Sequence, residues 1–179
     1  KILNEDGALS EKRFLSIFTQ VLEGLSHAHM KGLIHRDIKP ANIFITEPTP
    51  GVEVVKLIDF GIAKLSETSL RTTHNLTQTG EVFGTPTYMS PEQCLGFEVD
   101  ARSDIYSVGC VMYEALSGKP PFAGQNAVQI ISKHLATDPF ALNIGNWQLN
   151  ELVLSCLAKE VDDRPQSAHK LLSRLQKIE

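Results

Sequence analysis

The stretch from Ser103 to Ser117 constrains this chain most. Ile105, Val108, Val111, Met112, Ala115 and Leu116 recur at helical spacing but cover more than one face. A helix that is apolar nearly all round belongs at the centre of a domain, so other elements must pack on several sides of it. Gly118 and Pro120-Pro121 stop it. At 179 residues the chain is long enough to supply those neighbours within one domain.

The neighbours are legible as further amphipathic segments. Phe14, Ile17, Phe18, Val21, Leu22 and Leu25 predict a helix, with Ser10 as its N-cap and Gly32 closing it. Three more helices are expected, carrying Val128, Ile131 and Leu135; then Leu149, Leu152, Val153, Cys156 and Leu157; then Ala168, Leu171, Leu172 and Leu175 behind a Ser167 cap. Leu33-Ile34 and Ile43-Phe44-Ile45 are too short for helices. Val52 to Ile58 is rich in β-branched residues, and Pro48 with Pro50-Gly51 marks a turn before it. The fold class expected is mainly α, an α+β domain with a small β-ribbon. Ser66 to Glu81 is polar, rich in Ser and Thr and without periodicity, and is expected to be a long mobile loop.

Composition excludes several function classes. Lys plus Arg is 17 against 21 Asp plus Glu, a net charge of -4, which argues against broad nucleic-acid binding. Cys94, Cys110 and Cys156 lack the short spacing of a zinc or redox motif, so free thiols in a reducing compartment are expected. No signal peptide opens the segment, and no apolar run approaches the roughly 20 residues of a membrane span. The expectation is a cytoplasmic domain, with any membrane anchor outside this segment. His27, His29 and His35 invite a metal reading, but no acidic or thiol ligand accompanies His29, so a packing role is expected.

The chemistry concentrates in His35-Arg36-Asp37-Ile38-Lys39-Pro40-Ala41-Asn42, expected to be a loop held between two short strands. A carboxylate, a cation and a neutral oxygen ligand within one loop suit phosphoryl transfer. The carboxylate orients an attacking hydroxyl, the cation offsets charge on the moving phosphate, and oxygen ligands hold a metal. Asp59-Phe60-Gly61 follows a strand. Alone it is weak evidence, because Asp-X-Gly more often only turns the chain. Ser90-Pro91-Glu92 comes later in the chain.

That order of motifs resembles the signature of protein kinases, and the likeness runs from about Ser10 to Leu175. The resemblance implies that residues 1–179 form the C-terminal lobe of a kinase-like fold, with the β-ribbon at the catalytic cleft. It implies a serine/threonine kinase using ATP and Mg²⁺ on protein substrates with Ser or Thr acceptors. By the same resemblance Asp37 is the catalytic base and Lys39 contacts the transferring phosphate. Asn42 and Asp59 ligate Mg²⁺, and Phe44 lies under the adenine. Thr85 hydrogen-bonds near Asp37 and Lys39, within a Gly84–Tyr88 loop that seats the residue after the phosphoacceptor. His35 and Phe60 resemble two rungs of the stack that couples the lobes. Asp104 resembles the anchor of the catalytic loop, and Glu92 with Arg164 resembles a buried ion pair.

Arg36 before Asp37 resembles kinases switched on by phosphorylation. Thr77 and Thr79 are the candidate phosphoacceptors, as in bacterial serine/threonine kinases, with Thr72 and Thr73 behind them and Arg36 and Lys64 as phosphate partners. Ala41 stands where many kinases that select basic substrates carry Glu, Tyr106 replaces the commoner Trp, and Ser90 replaces Ala. The sequence contains no Gly-rich phosphate loop, strand lysine or partner helix glutamate, so the N-terminal lobe is expected to be a missing partner. The fragment alone is expected to be inactive. The alternative is a pseudokinase or interaction scaffold; intact Asp37, Lys39, Asn42 and Asp59 favour the enzyme.

Overall fold

The computed structural model describes residues 7–60 and 86–178. Helix α1 spans Glu11–Met30, followed by a two-stranded antiparallel ribbon of β1 (Ile43–Thr49) and β2 (Val52–Leu57). Then come α2 (Pro91–Leu95), α3 (Ala101–Ser117), α4 (Ala127–Ala136), α5 (Trp147–Cys156) and α6 (Ala168–Leu175). Short 3₁₀ turns occupy Pro40–Asn42, Pro86–Tyr88 and Val161–Asp163.

Helix α3 is the axis of the packing. Thirteen of its 17 residues are buried, as its all-round apolar pattern requires. Its N-cap is Asp100, whose carboxylate accepts from Arg102 N, and Gly118 ends it at φ 73°, a left-handed position that favours glycine. Helix α1 lies against α3, α6 and β2, and α5 lies against α3 and α6. The α3–α5 approach needs Gly109, because a Cβ there would sit 2.5 Å from Cys156 Cβ. The core is continuous, running from Phe14, Ile17, Phe18 and Leu22 on α1 through Ile105, Val108 and Met112 to Leu149, Leu152 and Leu171.

The expected caps are present. Ser10 Oγ accepts from Arg13 N, Ser167 Oγ accepts from Lys170 N, and Gly32 has φ 73° just past α1. Three expectations need correction. Leu33-Ile34 forms no strand among the described residues, so the loop is braced by a strand on one side only. Pro48 lies within β1 and not in the turn. There the register shifts between Thr46, opposite Val54, and Thr49, opposite Val52, and the irregularity tolerates a residue with no N–H to donate. The α4 face also differs: Ile130 and His134 are buried, while Val128 is exposed. No helix among the described residues is long and apolar enough to cross a membrane.

Candidate active site

The loop from His35 to Asn42 has no ladder on its N-terminal side, so side chains do the fixing. The Asp104 carboxylate, at the start of α3, accepts from His35 N at 2.7 Å and Arg36 N at 2.8 Å. The same carboxylate meets His29 Nε2 at 2.8 Å, which ties the end of α1 to the loop. Gln93 of α2 donates to Arg36 O at 2.9 Å. These bonds hold Arg36 at φ 64°, a left-handed conformation of the kind that costs a non-glycine residue about 1–3 kcal/mol. Such strain persists only where surrounding bonds over-determine it, and here both the N–H and the C=O of Arg36 are fixed.

This frame presents three side chains together. Lys39 Nζ lies 2.7 Å from Asp37 Oδ2. Asn42 Nδ2 donates to Asp37 O at 2.8 Å and to Asp37 Oδ2 at 3.2 Å. Both bonds need the amide nitrogen, which fixes the flip of the buried Asn42 side chain. Its carbonyl oxygen Oδ1 is therefore left over from those two bonds, and no described residue donates to it. Asp59, exposed and at φ 56°, directly follows Ile58, whose backbone bonds to Asn42. Its neighbours pin it: Ile58 N donates to Asn42 O at 3.0 Å, Ile58 O accepts from His35 Nε2 at 3.0 Å, and the Phe60 and His35 rings lie 4.5 Å apart. Phe44, near the start of β1, is 53% exposed. The Ile58–Asn42 backbone bond brings Asn42 and Asp59 to one end of the ribbon, and an amide oxygen with a carboxylate is the hard-oxygen donor chemistry that fits Mg²⁺.

Glu92 and Arg164 form a two-point ion pair, Nη1 to Oε1 at 2.8 Å and Nη2 to Oε2 at 2.9 Å. Both residues are buried. Burial by itself raises the Glu92 pKa, but hydrogen bonds from Arg164 and Ser103 outweigh it and bring the value down to about 2. Arg164 also donates to the carbonyls of Ala158, Lys159 and Arg102, so it closes the turn before α6 onto α2 and α3. Just before α2, Tyr88 donates its hydroxyl to Glu114 Oε2 at 2.6 Å, and Ser107 Oγ donates to Tyr88 O. Burial, then the Glu114 hydrogen bond, raises the Tyr88 pKa.

The structure therefore brings His35, Arg36, Asp37, Lys39, Asn42, Asp59, Phe60 and Asp104 into one assembly, with Phe44 two residues beyond Asn42 on β1. The Glu92–Arg164 pair lies apart, beneath α2. Lys64, Thr72, Thr73, Thr77, Thr79, Gly84 and Thr85 lie outside the described residues. His29 gains an acidic partner, Asp104, from 75 positions away, as a hydrogen bond; no group of three metal-ligating side chains occurs among the described residues. Cys110 and Cys156 are buried free thiols whose pKa burial raises, and Cys94 is half-buried with its thiol pushed up to about 11 by burial.

The protein kinase domain pattern matches residues 1–175. The chain belongs to the protein kinase domain family. It is 40% identical over 182 residues to the serine/threonine-protein kinase PknB of Mycolicibacterium smegmatis, covering 99% of this chain and 28% of that protein. It is 40% identical over 181 residues to PknB of Mycobacterium tuberculosis, again 99% of this chain and 28% of the relative. The serine/threonine-protein kinase pkn2 of Myxococcus xanthus is 42% identical over 175 residues, 94% of this chain and 21% of that protein. The chain thus spans under a third of the length of these relatives. Family membership brings with it ATP and a divalent metal as the general requirement.

Sequence reasoning missed Gln93 and His134. Gln93 was visible as the fourth residue of Ser90-Pro91-Glu92-Gln93, a capping-box pattern that the structure realises on both sides. Its second bond, to Arg36 O across 57 positions, had no local signal.

Proposed function

We propose that this chain provides the catalytic loop of a protein serine/threonine kinase, transferring the ATP γ-phosphate to Ser or Thr hydroxyls of protein substrates. The observation that carries this reading is the convergence of Lys39 Nζ and Asn42 Nδ2 on Asp37 Oδ2 inside a loop whose Asn42 carbonyl bonds to Ile58, the residue before Asp59. Asp37 accepts a hydrogen bond from the acceptor hydroxyl and takes its proton as the new O–P bond forms. Such base assistance is worth about 10²–10⁴-fold. The bond from the γ-phosphorus to the ADP oxygen breaks in the same displacement. Lys39 leaves its ion pair with Asp37 to offset charge on the moving phosphoryl group. Asn42 Oδ1 and the Asp59 carboxylate hold Mg²⁺, which when bound neutralises charge on the nucleotide phosphates. Phe44 forms an apolar floor for the base of the nucleotide.

Thr85 is assigned by family likeness as a hydrogen-bonding partner near Asp37 and Lys39. Regulation is assigned to phosphorylation at Thr77 or Thr79, with Arg36 and Lys64 as partners. Arg36 supports this, because its Nε is buried with no hydrogen-bond partner among the described residues. A buried unpaired guanidinium donor suits a phosphate oxygen. The 179-residue polypeptide tested alone is expected to turn over negligibly, since the Phe44 floor is open to solvent. A cytoplasmic setting, with any membrane anchor outside this segment, suits these buried thiols.

The test is phosphopeptide mapping of the natural reading frame that carries this chain, after incubation with Mg·ATP. Modification at Thr77 or Thr79 supports both the activity and its regulation. Substrate phosphorylation with neither residue modified removes the regulatory assignment and leaves the activity. No Ser or Thr phosphorylation of any protein contradicts the reading.

A further inference from the structure

His134 is a buried titratable group that the phosphotransfer chemistry does not use. It lies on α4, fully buried between the Tyr106 and Phe122 rings, with Lys159 over both rings and Arg164 over the Tyr106 ring. Its ring stands edge-on to Phe122, with centroids 4.8 Å apart. Both ring nitrogens are engaged: Nε2 lies 3.2 Å from Thr87 O and Nδ1 lies 2.9 Å from Tyr106 Oη. A carbonyl only accepts, so the proton sits on Nε2, and Nδ1 accepts from the Tyr106 hydroxyl. The bridge therefore works in one direction only, from Tyr106 on α3 through His134 on α4 to the backbone at Thr87. An imidazolium would leave Nδ1–H facing a hydroxyl that has no other described acceptor. Burial, then the nearby Lys159 charge, lowers the His134 pKa to about 4, so the required tautomer persists at neutral pH.

Thr87 sits in the 3₁₀ turn Pro86–Tyr88, directly before Ser90-Pro91-Glu92. On its other side the turn is held by Tyr88 on Glu114 and by Ser107 on Tyr88 O. Among the described residues, the bond from His134 is the one that fixes the Thr87 carbonyl. We propose that His134 is a positioning residue that seats the Pro86–Tyr88 segment, and through it the surface that receives the substrate chain. The substrate consequence rests on the kinase reading; the seating itself does not.

The test compares His134→Asn and His134→Gln in the natural reading frame. Gln retains a donor near the Nε2 position, and Asn retains only the group near Nδ1. Asn is expected to raise peptide KM about fivefold, the equivalent of one neutral hydrogen bond, with ATP KM unchanged. Gln is expected to restore wild-type KM. Amide exchange at Tyr88 and Met89 is expected to quicken in the Asn variant and not in the Gln variant. If peptide and ATP KM rise together with a lower Tm, His134 is merely a core residue and the proposal falls. Unchanged exchange in the Asn variant also overturns it, whether or not the protein is active. Faster exchange in a protein that phosphorylates nothing keeps the seating and removes the kinase reading.

Discussion

Arg164→Ala offers the sharpest stability prediction. The side chain is buried and makes two bonds to Glu92 plus bonds to three backbone carbonyls. Truncation leaves the Glu92 carboxylate buried, with the Ser103 hydroxyl as its remaining side-chain donor. Breaking a buried pair by removing one partner costs about 3–5 kcal/mol. For a domain of this size each kcal/mol moves Tm by about 2–4 °C, so Tm is expected to fall by about 6–20 °C. The pH dependence has a definite sign. Glu92 is lowered from 4.5 to about 2, so its contribution is present above pH 4.5 and is lost as pH falls toward 2. Arg164→Ala is expected to flatten that acid limb. Thermal unfolding by calorimetry at pH 7 and pH 4 checks both claims, with Glu92→Gln/Arg164→Met as the control. Replacing both partners by neutral groups of similar shape is expected to recover much of the loss. A single Arg164→Ala variant melting within about 2 °C of wild type would refute the reasoning, because the pair would then carry under about 1 kcal/mol.

Other consequences are equally direct. Asp104→Asn places an amide donor against one of three donors that now meet the carboxylate, and is expected to cost about 1–3 kcal/mol and to speed amide exchange at His35 and Arg36. Gly109→Ala drives a methyl into Cys156 and is expected to cost about 1–3 kcal/mol in denaturant unfolding, unless α3 and α5 separate. His134 has its folded pKa below its ordinary 6.5, so the unfolded chain binds more protons between pH 6.5 and about 4. Stability is therefore expected to decline over that window, and His134→Gln is expected to remove that part of the decline.

Much of this was legible where the signal is local. The stripe from Phe14 to Leu25 gave α1 with its Ser10 cap, and the all-round apolar run gave α3 as the central helix. Where partners are distant, the pattern misled or was silent. Leu33-Ile34 reads as a strand by composition, but a strand needs a ladder, and Asp104 takes the following N–H groups instead. The inward face of α4 was misplaced because a histidine scores as polar. His134 becomes a core residue only because Tyr106 and Thr87, 28 and 47 positions away, satisfy its two nitrogens. The Glu92–Arg164 pair, 72 positions apart, was reached through family likeness and not through spacing.

The central claim is that the Asp37 loop performs phosphoryl transfer to protein hydroxyls. Its most direct test is single-turnover transfer from labelled Mg·ATP by the natural reading frame, wild type against Asp37→Asn, with phosphoamino-acid analysis of the product. The account predicts phosphoserine or phosphothreonine from the wild type and a rate about 10²–10⁴-fold lower in the variant, with its Tm held near that of wild type. Equal rates in the two proteins, or phosphate arriving mainly on tyrosine, would contradict it.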